Sequence, residues 1–447
     1  MDIQKLHQYG LLFPVSSGIQ VDINAIVKND GSEGSTCDHN CTLEVGDYDC
    51  PAAFTLNKGM NKKFAPAEKI IDWVTRAAGA LIRARQRFVD EDATEYFNKC
   101  RVPGRLHQSI CSNITAGKVE VNLFGGNPEM HAEVTDITPA LQARGYAVNL
   151  TTTGRRFLTD SAYTNRTVQS PPNLVALSAD YLDLERFEYL SGLDLDPLKG
   201  AWKQVNPLHG QKQKFVEAIY TSRLFAGMSS PRILYNMVVH PGNLRYVEEL
   251  IGSIHAAFPN NMVNPYPAQS SFLYEANIFG LEHLKEFERF VDLMIVWSKD
   301  PTSPITKRLH YWLVLKAVLE THRGNSARAL EMLSGYDTWR CYRNPVLPYL
   351  QIGRGMLGST EPNVVPGGKL GCFWNDQTVS QESPIETAAQ ADGYLLTSMR
   401  ARAQESANPC RGCLMPRLMF NFLTTEMGLD PALLPAYFEL RKEHVGF

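Results

Sequence analysis

A regular alternation of strand and helix patterns between residues 118 and 265 constrains the fold of this 447-residue chain more than any other feature. Each short apolar run ends in a polar or glycine-containing turn, and apolar residues at helical spacing follow. Strands that alternate with helices predict an α/β fold with a parallel sheet and right-handed crossovers. The six predicted strands span residues 18–27, 119–124, 146–150, 174–180, 233–239 and 262–265.

Helices are predicted between and after these strands. Apolar residues at helical spacing predict one helix over residues 67–88 and another after residue 242. Between the second and third strands, Thr138 is predicted to cap a helix that Pro139 opens and Gly145 ends. The chain beyond residue 280 is predicted to be mainly helical, with helices at residues 281–297, 305–321, 325–333 and 431–442.

Polar residues and glycines follow the carboxyl ends of most predicted strands. In parallel α/β folds, the loops at those ends lie on one side of the sheet and carry the chemistry. The sequence therefore predicts a functional site at that rim. The segments placed there are a cysteine-containing loop at residues 31–50, Gly125-Gly126, residues 151–154, residues 178–180 and the turn at Asn264.

The cysteine loop, GSEGSTCDHNCTLEVGDYDC, contains Cys37, Cys41 and Cys50. Thiolates on such a loop can converge on a soft metal ion or an iron–sulfur cluster, and three thiolates leave one iron open to another ligand. A closed zinc site would need a fourth ligand, such as His39 or Asp49. The chain has nine cysteines, and their odd number and clustering favour metal chemistry over a fully paired disulfide set.

Composition narrows the function classes. The net charge is −3, which gives no electrostatic footprint for nucleic acid. The first 18 residues lack the apolar run of a signal peptide, and no stretch of roughly 18 apolar residues suggests a membrane span. We therefore expect a cytoplasmic protein that has neither a membrane nor a nucleic acid as its partner.

The cysteine loop, the turn Phe124-Gly125-Gly126-Asn127-Pro128-Glu129 and the polar strand ends after it resemble the radical S-adenosylmethionine (SAM) superfamily over roughly residues 18–269. The resemblance implies a TIM-like partial (β/α) barrel of six strands, in which the three loop cysteines hold a [4Fe–4S] cluster. SAM would chelate the open iron, and its one-electron cleavage would yield methionine and a 5′-deoxyadenosyl radical that abstracts hydrogen from the substrate. The family usually places three and then two residues between its cysteines, whereas this loop places three and then eight.

The resemblance also implies which residues bind SAM, and it assigns no catalytic residue. The family turn usually ends in Glu-Pro, so both Asn127 and Glu129 are candidates to accept a hydrogen bond from the SAM ammonium group. Ser178 and Asp180 could instead form a strand-end cap or a turn, and Asn236 could have a structural partner. His131 could be a proton donor or a turn residue. The implied SAM-binding set is Gly125, Gly126, Asn127, Pro128, Glu129, Thr152, Ser178, Asp180 and Asn236.

A second cysteine group comprises Cys341, Cys372, Cys410 and Cys413. Four thiolates with one C-x-x-C pair suit a closed iron–sulfur cluster or structural zinc. The layout is similar to the SPASM or twitch extensions that follow many radical SAM barrels, which implies one auxiliary [4Fe–4S] cluster. The prediction is thus a barrel domain at residues 1–280 and a helical auxiliary-cluster domain at residues 281–447.

The resemblance implies a radical SAM enzyme that abstracts hydrogen from a peptide or protein side chain or a natural-product precursor. A flavodoxin, a ferredoxin or a dedicated reductase would supply the electron. Two alternatives stay open at this point. One is a non-enzymatic zinc-binding scaffold, in which both cysteine groups are structural, and the other is a radical SAM methyltransferase.

Overall fold

The computed structural model has an α/β fold, in which helices pack on a β-sheet. It describes residues 17–23, 26–27, 33–34, 64–91, 94–95, 119–124, 127–179, 210–239, 244, 247–267, 284–300, 303–305, 312, 315–316, 319–320, 325, 328, 350–352 and 364–366. A 3-10 turn spans Pro128–Met130. The strands are β1 (Ser17–Asp22), β2 (Ile26–Val27), β3 (Glu33–Gly34), β4 (Val119–Phe124), β5 (Ala147–Thr152), β6 (Leu174–Ser178), β7 (Arg232–Val239), β8 (Met262–Pro267), β9 (Leu350–Ile352) and β10 (Val364–Pro366). The helices are α1 (Ala67–Glu91), α2 (Val134–Gln142), α3 (Arg155–Thr159), α4 (Ser161–Gln169), α5 (Gly210–Leu224), α6 (Val247–Ala257) and α7 (Leu284–Lys299).

Eight strands form one sheet in the order β10-β9-β1-β4-β5-β6-β7-β8. All neighbours are parallel except β9 and β10. The six strands β1 and β4 to β8 are adjacent in chain order, so successive crossovers advance across the sheet in one direction. Right-handed crossovers in one direction put their helices on one face, an arrangement consistent with a partial TIM-like barrel. The predicted parallel α/β sheet is thereby confirmed.

The core lies between the sheet and this layer of helices. Alternate residues of β4 (Val119, Val121 and Leu123) are buried, while the residues between them are partly exposed. The buried side chains join one apolar cluster with residues of the helices, such as Ile70 of α1 and Leu141 of α2. Amphipathic helices on β-branched strands thus bury a continuous apolar layer, as the spacing of apolar residues in the sequence predicts.

Two local predictions are wrong. Thr138 does not cap α2, because the helix begins at Val134 and the Thr138 hydroxyl donates to the Val134 carbonyl. The backbone N–H groups of Asp136 and Ile137 donate to the Glu133 carbonyl, which starts the helix before the Thr138–Pro139 pair. The first strand ends at Asp22 instead of continuing to residue 27, and Ile26–Val27 pairs separately with Glu33–Gly34.

The described residues beyond 280 include both helix and strand. Helix α7 agrees with the helix predicted over residues 281–297. Strand β9 pairs in parallel with β1, and β10 pairs antiparallel with β9, so residues on both sides of position 280 share one sheet. At the other edge, Ile305 forms an isolated parallel bridge with Val263 of β8. Among the described helices, none combines the length and apolar character needed to cross a membrane.

Candidate functional site at the carboxyl ends of the parallel strands

Several of the predicted site residues fall outside the part of the chain that the structure describes. These are the seven proposed metal ligands Cys37, Cys41, Cys50, Cys341, Cys372, Cys410 and Cys413, together with Gly125, Gly126 and Asp180. The described members of the predicted SAM-binding set are Asn127, Pro128, Glu129, Thr152, Ser178 and Asn236. Within the described ranges, no group of three or more His, Cys, Asp and Glu side chains is arranged to hold a metal ion.

The two segments that carry the predicted motifs leave the sheet at neighbouring points. Strands β1 and β4 are parallel neighbours, and Asp22 at the end of β1 is the register partner of Phe124 at the end of β4. The backbone N–H of Ile23 donates to the Phe124 carbonyl at 3.2 Å, which extends the pairing by one residue. The segment containing the cysteine loop thus follows β1 where the glycine turn follows β4.

Asn127 ties the turn after β4 to the end of β5. Its Oδ1 accepts a hydrogen bond from the Thr152 hydroxyl at 2.7 Å, and its Nδ2 donates to the Thr153 hydroxyl at 3.2 Å. The Thr152 hydroxyl also accepts from the Gly154 backbone N–H at 3.2 Å. All three side chains are buried, so the structure brings together two residues that the sequence placed at one site, Asn127 and Thr152.

Gly154 fixes how closely helix α5 approaches this site. Its φ is +89°, a left-handed conformation that glycine adopts without the steric cost of a Cβ atom. A Cβ built there would lie 2.5 Å from the Thr221 hydroxyl oxygen and 3.1 Å from the Glu217 carbonyl oxygen, both on α5. The helix therefore packs directly against the backbone that follows β5.

Glu129 and Arg156 join the same turn to helix α3. The Glu129 Oε2 accepts from the Arg156 backbone N–H at 2.8 Å, and the Arg156 Nη1 donates to the Glu129 carbonyl at 2.8 Å. The same Nη1 donates to the His131 carbonyl at 3.3 Å. Arg156 thus links the backbone of the turn after β4 to the helix after β5, and nothing in the local sequence predicts this role.

Arg156 is itself held by two neighbours. Its Nε donates to the Asp160 Oδ2 at 2.9 Å, and its guanidinium lies 4.6 Å from the ring centroid of Tyr163. The Asp160 Oδ1 caps α4 by accepting from the Tyr163 backbone N–H at 3.0 Å. This backbone hydrogen bond, followed by the contact with Arg156, keeps the pKa of Asp160 below its usual value. Burial raises the pKa of Tyr163 well above its ordinary value, so its ring packs as a neutral phenol.

His131 has a structural environment. Its Nδ1 accepts from the Glu133 backbone N–H at 3.2 Å, so the proton of the neutral ring is assigned to Nε2, which donates to the Ala65 carbonyl at 2.9 Å. Burial lowers the pKa of His131 below 6.5, which favours this neutral ring. The ring also packs against Phe64 in a tilted arrangement, with centroids 5.3 Å apart and an angle of 33° between the ring planes. Of the two roles considered for His131, these contacts support that of a turn residue.

Ser178 and Asn236 lie on the sheet face opposite the helices, which we call the inner face. They are register partners on β6 and β7, and Asn264 on β8 is the partner of Asn236. The Asn264 Nδ2 donates to the Asn236 Oδ1 at 2.9 Å. A row of three partly exposed polar side chains therefore crosses the carboxyl half of these strands.

The inner face carries further polar residues on β4 and β5 that sequence reasoning missed. The Asn149 Nδ2 donates to the Glu120 Oε1 at 3.1 Å, and the Thr151 hydroxyl donates to the Asn122 Oδ1 at 2.9 Å. Glu120 and Asn122 alternate with buried apolar residues in the β4 segment VEVNLF. That alternation was the available signal, because the side chains of a strand point to opposite faces in turn.

Comparisons with known proteins give little beyond this geometry. No protein-family model matches the chain, and no curated protein matches it. One similar solved structure is that of TYW1 with a lysine–pyruvate adduct bound, with 11% sequence identity and a TM-score of 0.29. The similarity covers 53% of this chain and 65% of that one, so this chain spans less than two thirds of TYW1 as solved. The fold assigned above rests on strand order and register alone.

Proposed function

We propose that this chain is a radical SAM enzyme. The observation that carries the proposal is the adjacency of the two motif-bearing strand ends, Asp22 beside Phe124 in register. A three-cysteine segment after the first strand and a glycine turn after the second would meet at one rim of a singly wound parallel sheet. That is the arrangement that the sequence resemblance implies.

The residues present suit the proposed groups chemically. Three thiolates, from Cys37, Cys41 and Cys50, suit a [4Fe–4S] cluster with one open iron. When bound, the cluster would supply the electron for the reductive cleavage of SAM. Asn127 would accept a hydrogen bond from the SAM ammonium group through its amide oxygen, because it directly follows the glycine turn, where the family usually has a glutamate.

The remaining described residues would hold and orient SAM. The Asn127–Thr152–Gly154 hydrogen bonds fix the turn relative to β5, so its amide is oriented before SAM binds. Partly exposed Ser178 and Asn236 lie along the carboxyl half of β6 and β7, within the part of the sheet where ligands of parallel folds bind. Glu129 would act through the turn, because its carboxylate accepts the Arg156 backbone N–H.

The substrate class, the electron donor and the role of the second cysteine group are proposed from the same sequence resemblance. The substrate is a peptide or protein side chain or a natural-product precursor, and a flavodoxin, a ferredoxin or a reductase delivers the electron. Cys341, Cys372, Cys410 and Cys413 would hold an auxiliary [4Fe–4S] cluster, with structural zinc as the competing occupant.

The test is SAM cleavage by the anaerobically reconstituted full chain, followed as 5′-deoxyadenosine released with dithionite as the reductant. Replacing Cys37, Cys41 and Cys50 together by alanine should abolish the product while the circular dichroism spectrum stays that of the wild type. The matched control replaces Cys100 and Cys111, which belong to neither cysteine group, and should keep the activity. Cleavage that survives the triple replacement would refute the assignment of the loop.

A further inference from the structure

The inner face is polar at neighbouring positions of β4 and β5, whereas apolar residues predominate at the same depth on β6 to β8. We define the β4–β5 patch as Glu120, Asn122, Asn149 and Thr151. On β6 to β8 the corresponding positions hold a small apolar cluster of Leu174, Ala176, Leu234 and Met262, together with Arg232 of β7, the register partner of Leu174. The interior of a parallel barrel is usually filled by bulky apolar side chains, so a confined polar patch departs from the packing rule. Departures of this kind concentrate at functional sites.

Hydrogen bonds within the patch orient its two amides. The Glu120 carboxylate can only accept, so the Asn149 amide turns its Nδ2 towards it, at 3.1 Å, and its Oδ1 the other way. Asn122 uses its Oδ1 to accept from the Thr151 hydroxyl at 2.9 Å, so its Nδ2 is the group that can donate to a ligand. Asn122 and Asn149 are register partners on adjacent strands. The patch thus presents an oriented acceptor beside an oriented donor.

Among the residues that the structure describes, none donates a hydrogen bond to the Asn149 Oδ1, although Asn149 is only 6% exposed. A buried acceptor without a partner is costly, and native structures almost always provide one from protein, water or ligand. The patch can be reached, because Glu120, Asn122 and Thr151 around this atom are all partly exposed. A buried, unpaired acceptor next to partly exposed polar side chains indicates a place for a donor from outside the chain.

We propose that the β4–β5 patch binds a nitrogen-bearing group of a ligand, an amide or an ammonium, whose N–H donates to the Asn149 Oδ1. A carboxylate or a phosphate has no N–H group to donate to this acceptor, whereas an amide or an ammonium has. An amide suits the patch best, because its carbonyl can also accept from the Asn122 Nδ2. Calling this group part of the substrate rests on the proposed function, whereas the binding itself requires neither the cluster nor SAM.

The experiment measures binding of small probes to the full chain by saturation-transfer NMR. N-methylacetamide represents an amide, propylammonium represents an ammonium, and acetate is the anionic comparison. We expect at least one nitrogen probe to bind the wild type and acetate not to bind. Asn149→Leu, which removes the acceptor at similar volume, should weaken the nitrogen probe about five- to tenfold, the effect of one lost hydrogen bond. Asn165→Leu removes an exposed amide on α4, away from the inner face, and should leave the affinity unchanged.

Thermal stability in the presence of the probe separates ligand binding from a structural role. Asn149→Leu removes the donation from Nδ2 to Glu120 as well as the unpaired Oδ1, so the comparison is the shift that the probe causes in each protein. The nitrogen probe should raise the melting temperature of the wild type more than that of Asn149→Leu. Equal shifts in the two proteins would overturn the proposal, as would equal probe affinities of wild type and variant or binding of acetate. If Asn149→Leu does not fold, Asn149→Ala takes its place in the binding comparison. A chain that binds the amide but holds no iron would refute the proposed function and leave this inference standing.

Discussion

Replacing Arg156 by alanine should destabilise the protein more than any other single arginine replacement among the described residues of this rim. The change removes donation from Nη1 to the carbonyls of Glu129 and His131, at 2.8 and 3.3 Å, and the ion pair with Asp160 at 2.9 Å. The Arg156 side chain is 23% exposed and that of Asp160 is 34% exposed, so the ion pair contributes at most about 1 kcal/mol.

The two carbonyl contacts contribute more, because the turn beneath them is buried. A hydrogen bond from a charged donor contributes about 1.5–3 kcal/mol to stability. The bond to the His131 carbonyl is longer, so we expect it to contribute less than that. The expected loss in the free energy of unfolding for Arg156→Ala is therefore about 3 kcal/mol. Arg156→Lys keeps the charge but has a single nitrogen, so it should lose about half as much.

The assay is chemical unfolding of the full chain, followed by far-UV circular dichroism. It compares the denaturant concentrations at half unfolding of variants that have the same m-value. The matched control is Arg144→Ala, because Arg144 is exposed and, among the described residues, its side chain donates only to the Ala140 carbonyl of the preceding helix, at 2.6 Å. That control should change the unfolding free energy by less than about 0.5 kcal/mol. If Arg156→Ala and Arg144→Ala unfold at the same denaturant concentration, the proposed link between the turn and α3 is wrong.

Two further perturbations test the packing and the protonation around the same turn. Gly154→Ala should lower the unfolding free energy by about 2–5 kcal/mol, because the added methyl group meets Thr221 and Glu217 and the residue has a positive φ. Gly145→Ala, also at positive φ but with nothing within 4 Å of the added atom, should lower it by only about 1–2 kcal/mol. Equal losses would contradict the close contact with α5. Burial lowers the pKa of His131 from 6.5, so the unfolded chain binds the proton more readily than the folded chain does. The stability that the buried neutral ring contributes is therefore complete above about pH 6.5 and is lost as the pH falls below it. The melting temperature of the wild type should accordingly fall more between about pH 7 and pH 5.5 than that of His131→Gln, and parallel profiles would refute the buried neutral ring.

The strands could be predicted well because their signal is local. Runs such as residues 119–124 and 233–239 are rich in apolar residues and bounded by turn residues, and the observed strands β4 and β7 differ from them by at most one residue at either end. The helix near Thr138 was misplaced because a Thr-Pro pair imitates a helix start, while the true start depends on carbonyls supplied by the preceding turn.

The candidate site could be predicted only in part. Residues that directly follow strands, such as Asn127 and Thr152, share a rim because parallel strands end together. The contacts of Arg156 join it to residues 25 and 27 positions away, and no periodicity in the sequence records such pairs. The unpaired acceptor of Asn149 is also a property of packing, although its polar character within a buried strand was visible in the sequence.

The most direct test of the proposed radical SAM chemistry is the iron and acid-labile sulfide content of the reconstituted full chain, together with EPR spectra of the reduced protein before and after adding SAM. We expect about eight irons per chain and a spectrum that SAM changes, as two [4Fe–4S] clusters of which one is open to a ligand would give. About four irons with the same change would keep the site of Cys37, Cys41 and Cys50 and assign zinc or free thiols to the second cysteine group. Zinc without iron, or an iron signal that SAM leaves unchanged, would contradict the proposed function.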